Sequence, residues 1–165
     1  MSTDHPNDEP TEREMVRAFH EAFDVPVRDA VDLALPDDRL RMRYRLVAEE
    51  FAELTGAILG PDARAVVERA VTAVIDSPTD AADPVGTADA TGDLRYVLHG
   101  LELECGIPGD EVFAAIHASN MAKLGPDGVA LRRADGKVLK PAGWSPPDVA
   151  GVLARAGFRG VGGDV

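Results

Sequence analysis

The chain has 165 residues and a formal net charge of −12, from 17 basic and 29 acidic side chains. Apolar residues make up 45 %, enough for a core, while aromatics at 5 % leave that core to Ala, Val and Leu and favour helices over a β-sandwich. The acidic surplus argues against a phosphate-backbone binder, the one cysteine cannot form an internal disulfide, and no run of about 18 apolar residues exists to span a membrane.

Residues 1–10, MSTDHPNDEP, are acidic and polar, unlike a signal or transit peptide, and read as a disordered arm on a cytoplasmic protein. Thr11-Glu12-Arg13-Glu14 has the spacing of a capping box, and Met15, Ala18, Phe19, Ala22 and Phe23 follow at helical spacing. A first helix is predicted from about 11 to 24, ended by Val25-Pro26. After a connection, Asp37 or Asp38 caps a second helix. Its stripe of Leu40, Tyr44, Val47, Phe51, Leu54 and Ile58 recurs at steps of four and three, up to Gly60-Pro61. A third helical segment fits 63–76, and SPTDAADPVGT over 77–87 reads as a connector.

A fourth helix over about 86–105 has Leu94, Val97, Leu98, Leu101 and Cys105 on its apolar side, with Gly106 placed for a left-handed cap. In that stripe Cys105 is expected to be a buried small hydrophobe. Asp110 caps a fifth helix over 110–124, with Val112, Phe113, Ile116, Met121 and Leu124 on one side. Residues 125–144 change character. Val129–Leu131 and Val138–Leu139 flank the turn Ala134-Asp135-Gly136-Lys137, which predicts a small hairpin or loop extension. Ser145-Pro146-Pro147-Asp148 opens a last helix, with Ser145 as cap, ending near Gly157. Residues 158–165 read as a flexible tail, and 11–157 as one all-α domain. Neither a repeat nor a Walker or Rossmann phosphate loop is present.

Two acidic motifs carry the chemistry. On the second helix, Glu50 and Glu53 are three apart and Glu49 and Glu53 four apart, so each pair projects from one side. On the fourth, Asp89 and Asp93 are four apart, beside the apolar stripe. Two Asp in mid-helix are modest helix formers and call for a reason. If the two helices pack face to face, these carboxylates meet. Such a cluster raises its own pKa values unless a cation neutralises it, and hard oxygen ligands select Mg²⁺ or Mn²⁺. That chemistry activates water against a phosphate ester or anhydride. The plain alternative is a solvated face, since an Ala-rich acidic chain places Glu pairs on helix surfaces by chance.

Asn120 and Lys123 share a face near the end of the fifth helix. Lys is a point charge for a phosphate, and Asn donates to a phosphate oxygen or a base. The three lysines, Lys123, Lys137 and Lys140, all lie in the C-terminal third, and Lys137 joins the pair as a substrate-binding candidate. The plain alternative for Lys123 is a favourable charge near a helix C-terminus. Trp144, beside Gly143 and Pro146, reads as a packing anchor. His20, His99 and His117 lie on different predicted helices without ligand spacing.

In order, Ala48-Glu49-Glu50-Phe51-Ala52-Glu53-Leu54, then Ala88-Asp89-Ala90-Thr91-Gly92-Asp93-Leu94 with Gly100, then His117-Ala118-Ser119-Asn120-Met121-Ala122-Lys123, resemble the MazG-like, all-α nucleoside triphosphate pyrophosphohydrolase superfamily, in its phosphoribosyl-ATP pyrophosphohydrolase-like branch. The trailing Asp135-Gly136-Lys137-Val138-Leu139-Lys140 and Ser145-Pro146-Pro147-Asp148 look like the same branch. The resemblance implies a helical bundle completed by dimerisation, as a homodimer or a tetramer of paired dimers. It also implies Mg²⁺-dependent (or Mn²⁺-dependent) cleavage of a (deoxy)nucleoside triphosphate to monophosphate and pyrophosphate, in nucleotide-pool house-cleaning. By the same resemblance Glu50, Glu53, Asp89 and Asp93 bind metal, Glu49 binds metal or orients the attacking water, and Asn120 and Lys123 contact phosphates. One departure stands out. The family's second motif is usually Glu-x-x-Asp, and here Ala90 or Gly86 occupies the glutamate position. Two other readings therefore stand beside the enzyme: a noncatalytic nucleotide-binding module, and a helical dimerisation protein.

Overall fold

The computed structural model describes residues 9–33, 37–77, 81–125, 127–133 and 138–160. Residues 1–8 of the expected arm, 161–165 of the expected tail, and Lys137 with the rest of 134–137 lie outside the described residues. Six helices follow in chain order: α1 (Glu12–Ala22), α2 (Asp37–Leu59), α3 (Pro61–Ile75), α4 (Pro84–Cys105), α5 (Gly109–Met121) and α6 (Val149–Arg155). The fold is all-α, and no strand forms among the described residues. The chain divides into two compact units, one of 1–28 with 92–165 and one of 29–91.

In the first unit α1 packs on α5, and α5 on α6. The capping box forms as expected. The Thr11 hydroxyl accepts from the Glu14 N–H at 3.3 Å, and the Glu14 carboxylate accepts from the Thr11 N–H at 2.8 Å. The Thr11 hydroxyl, which donates to the Glu14 carboxylate at 2.7 Å, and then the Thr11 N–H hold the Glu14 carboxyl below the usual carboxylate range. A lowered carboxyl stabilises the fold above its unfolded pKa of about 4.3, and that help is lost as pH falls through the lower folded value. Thr11→Ala is expected to lower the thermal midpoint at pH 7 by roughly 2–4 °C, with the difference shrinking below pH 4 in a pH series of melts. At the other end of α1, Asp24 turns left-handed at φ 50°. The Val25 N–H then reaches the His20 carbonyl at 2.8 Å, and Phe23 is folded inward to 1 % exposure, stacked on Phe19 at 4.2 Å between ring centroids.

Four helix starts differ from the sequence expectation. α3 begins at Pro61 instead of 63, and α4 at Pro84 instead of about 86. α5 begins at Gly109, with Asp110 inside its first turn. α6 begins at Val149, capped by the Asp148 carboxylate, which accepts from the Gly151 N–H at 2.9 Å. Ser145 does not cap it, because Pro147 disfavours the helical conformation at Pro146, and the Ser145 carbonyl is already taken by the Ser119 hydroxyl at 3.0 Å. Among the described residues of 124–139 no strand forms, and the expected turn at 134–137 lies outside them. Among the described residues there are isolated antiparallel bridges, Leu124 with Ala130 and Arg132 with Val138. Val129, Leu131 and Leu139 are exposed, so nothing covers the face that a two-stranded ladder would need.

In the second unit α2 and α3 form an antiparallel helical hairpin joined by Gly60 alone, which sits at φ +94° with Pro61 opening α3. At the open end the Arg41 guanidinium donates to the Ile75 carbonyl and, at 2.9 Å, to the Ser77 carbonyl, closing the C-terminus of α3. Small residues mark the contact. Ala48 and Ala52, one turn apart, are buried with Ile75. The predicted stripe is therefore not the buried face: Tyr44, Val47, Phe51 and Ile58 are exposed. A one-residue connection brings the helices close, and alanines admit that approach where a Phe or Tyr edge does not.

α4 ends as expected. Gly106, at φ +64°, lets the Ile107 N–H reach the Glu102 carbonyl at 2.9 Å. Its apolar side is open: Leu94, Val97 and Leu98 are exposed, and so is Cys105, which corrects the reading of that thiol as buried. Their spacing does define an apolar stripe, but no helix of the described chain covers it.

Candidate active site

α2 carries Glu49, Glu50 and Glu53 on consecutive turns, all exposed. Glu49 and Glu53 line a groove of about 550 Å³ between α2 and α3, with Arg45, Arg64, Glu68 and Asp76 around it. Glu50 is not among the lining residues. One residue from Glu49 is about 100° around a helix, which turns Glu50 to the neighbouring face. Arg64 bridges the groove, with its guanidinium 2.7 Å from the Glu68 carboxylate and 3.5 Å from that of Glu53. Glu68 first, and Glu53 with it, raise the Arg64 pKa further, so this cation is permanent. Glycine at 56 makes room for it, since a Cβ there would stand 3.1 Å from the Arg64 stem. Glu49 and Glu50 have no hydrogen-bond or ion-pair partner among the described residues. Arg64, Glu68 and Asp76 escaped the sequence reading. Their one signal is the i, i+4 spacing of Arg64 and Glu68 on α3.

Asp89 and Asp93 lie on α4, one turn apart and exposed. Asp89 belongs to the unit that holds the three glutamates, and Asp93 to the other. Within their shared unit α2 lies against α3, so the expected packing against α4 is not formed there. The donors are carboxylate oxygens throughout, which suits a hard divalent cation. In the chain taken alone, however, no three His, Cys, Asp or Glu side chains converge to hold a metal ion among the described residues.

Asn120, near the end of α5, and Lys123, just beyond it, lie in contact. The Lys123 ammonium donates to the Asn120 Oδ1 at 2.7 Å in a half-buried setting. Burial first, and the nearby Lys140 ammonium second, lower the Lys123 pKa. A lowered lysine pKa means that its charge costs stability at neutral pH, a cost relieved as pH rises through the folded value towards the unfolded one. Trp144 is an anchor, as expected. Its indole N–H donates to the Ser119 carbonyl at 2.9 Å, beside the buried Ser119 hydroxyl. Lys140 lies over the indole ring at 4.0 Å from its centroid, and Lys123 at 5.9 Å. The histidines remain apart from these groups: His20 contacts the Pro26 carbonyl at 3.2 Å, and His99 contacts Glu102 at 3.1 Å.

The sequence profile of the phosphoribosyl-ATP pyrophosphohydrolase family matches residues 16–120, a span that includes both acidic motifs and Asn120. The chain belongs to this family. Among solved structures it is similar to one described as a "putative NTP pyrophosphohydrolase" from Exiguobacterium sp. 255-15, at 29 % identity and a TM-score of 0.67. That likeness covers 90 % of this chain and 96 % of the other. No curated protein matches the chain. Membership in a pyrophosphohydrolase family agrees with the all-helical fold expected from composition and periodicity, and with the phosphate ester or anhydride chemistry expected from the acidic motifs. No helix among the described residues is long and apolar enough to cross a membrane.

Proposed function

We propose that this family member is a cytoplasmic enzyme that hydrolyses a (deoxy)nucleoside triphosphate to its monophosphate and pyrophosphate, dependent on Mg²⁺ or Mn²⁺, in house-cleaning of the nucleotide pool. The observation that carries this reading is the exposed run of Glu49, Glu50 and Glu53 on α2, inside the segment matched to the family. Glu50 and Glu53, with Asp89 and Asp93, would hold the cation. A bound divalent ion polarises phosphoryl oxygens and neutralises their charge. Glu49 would hold the cation or orient the attacking water; a new P–O bond forms between that water and the α-phosphorus, the α,β-anhydride bond breaks, pyrophosphate leaves, and the water's proton passes to solvent. Asn120 and Lys123 hold the phosphates, and Lys137 adds a further contact.

Bringing the two acidic motifs together is assigned to a second copy of the chain. The exposed stripes of α2 (Tyr44, Val47, Phe51) and α4 (Leu94, Val97, Leu98) are apolar surface of the kind that a partner helix covers. Sedimentation is expected to return twice the mass of the 17.5 kDa chain, or four times it if dimers pair. Leu98→Asp is expected to shift the protein to monomers that have lost most of their turnover. A wild-type monomer with full activity would remove the second copy from the proposal.

Pyrophosphate release from a panel of common and deoxy nucleoside triphosphates, first with Mg²⁺ and then with Mn²⁺, tests the activity. Release from one or a few names the substrate. Silence across the panel with tight nucleotide binding by calorimetry would favour the noncatalytic binder, the reading supported by Ala90 or Gly86 standing where the family usually has a glutamate. Millimolar Mg²⁺ or Mn²⁺ is also expected to raise the thermal midpoint, because only a ligand of the native state does so. An unchanged midpoint in both metals would point to a helical dimerisation protein.

A further inference from the structure

Two of the three lysines of this acidic chain meet at one tryptophan. Trp144 is held from two sides. Its indole N–H is bonded to the Ser119 carbonyl at 2.9 Å, and its backbone N–H closes a turn onto the Pro141 carbonyl at 3.1 Å. The Ser119 hydroxyl in turn bonds the Ser145 carbonyl, so the loop after Lys140 is fastened to the end of α5. The fastening brings Lys140 close to Lys123 although they are distant in sequence. Lys123 and Lys140 face no carboxylate among the described residues. The indole face attracts ammonium groups, but it does not remove the repulsion between them. Asn120 gives its Oδ1 to Lys123, which leaves its Nδ2 hydrogens for an acceptor. Two cations and one amide donor suit a ligand made only of acceptor oxygens and bearing several negative charges.

We propose that Lys123, Lys140 and Asn120 form an anion site for a polyphosphate chain, with Trp144 as the positioning residue that holds the two ammonium groups together. The site goes beyond the Asn120 and Lys123 pair by assigning Lys140 as a ligand contact. Its identification with the terminal phosphates of a substrate, or with the departing pyrophosphate, rests on the hydrolase reading above.

The test is a titration of the full chain with inorganic tripolyphosphate in metal-free buffer. Trp144 is the one tryptophan of the sequence, so its fluorescence reports directly on the site. The wild-type chain is expected to show a saturable change that weakens with salt. Lys140→Gln is expected to weaken binding at least about tenfold and flatten its salt dependence, with no change in thermal midpoint. Lys140→Arg should restore most of the affinity. Trp144→Leu, followed by calorimetry, should weaken binding although both lysines remain. Wild-type affinity in Lys140→Gln, or no saturable binding by the wild-type chain, overturns the site. Because the probe needs neither metal nor turnover, the two readings fail separately. Tripolyphosphate binding without pyrophosphate release from any nucleotide leaves the anion site and removes the hydrolase. Turnover without tripolyphosphate binding does the reverse.

Discussion

Glu50→Gln is expected to lower kcat for pyrophosphate release by at least about a thousandfold, which corresponds to about 4 kcal/mol of barrier. The exchange keeps size and shape and removes one negative charge. Glu50 is exposed and has no partner among the described residues, so nothing in the packing of α2 on α3 depends on that charge. Helical circular dichroism and the metal-free thermal midpoint should therefore match the wild type. The midpoint rise with Mg²⁺ should shrink, because the variant loses a donor for the native-state ligand. Glu53→Gln is a less clean probe, since it also frees one side of Arg64, 3.5 Å away. Wild-type turnover in Glu50→Gln would show that the first acidic motif has been misassigned.

The largest effect on stability is expected at Phe23. Phe23→Ala should cost about 3–5 kcal/mol in urea unfolding, the usual range for deleting a buried aromatic ring. Phe23 is the one large side chain that is fully enclosed among the described residues, and it loses a ring stacked on Phe19. Its carbonyl also accepts from the Arg132 guanidinium, which ties the end of α1 to the loop after α5. Ala at 23 keeps that carbonyl but leaves a cavity beneath it. Phe23→Leu refills part of the volume and should recover about half of the loss. A loss below about 1 kcal/mol for Phe23→Ala would mean that the α1 end is held by its backbone turn rather than by the ring.

Much of the fold is legible in one dimension because helices are local. The capping box at Thr11, the Gly60-Pro61 break and the left-handed Gly106 each depend on residues within one turn, and each forms as read. The same locality explains the errors at Ser145 and Asp110. Several residues there could cap, and Pro147 and the bond from Ser119 to Ser145 settle the choice. The pairing of Asn120 with Lys123 is legible for the same reason: they are three residues apart, across the end of α5 and the turn that follows it.

Periodicity, caps and acidic spacing are properties of neighbouring residues, and they suffice for the helices, the two acidic motifs and the family. Which surface of a helix is covered depends on what comes to lie against it. On α2 the tight turn at Gly60 selects the alanine edge of Ala48 and Ala52 and leaves the larger Tyr44, Val47 and Phe51 open. The reach of Arg64 from α3 to Glu53 on α2, and the meeting of Lys123 and Lys140 at Trp144, are likewise products of packing. Each joins residues from different elements or loops, and no local rule of spacing encodes such a contact.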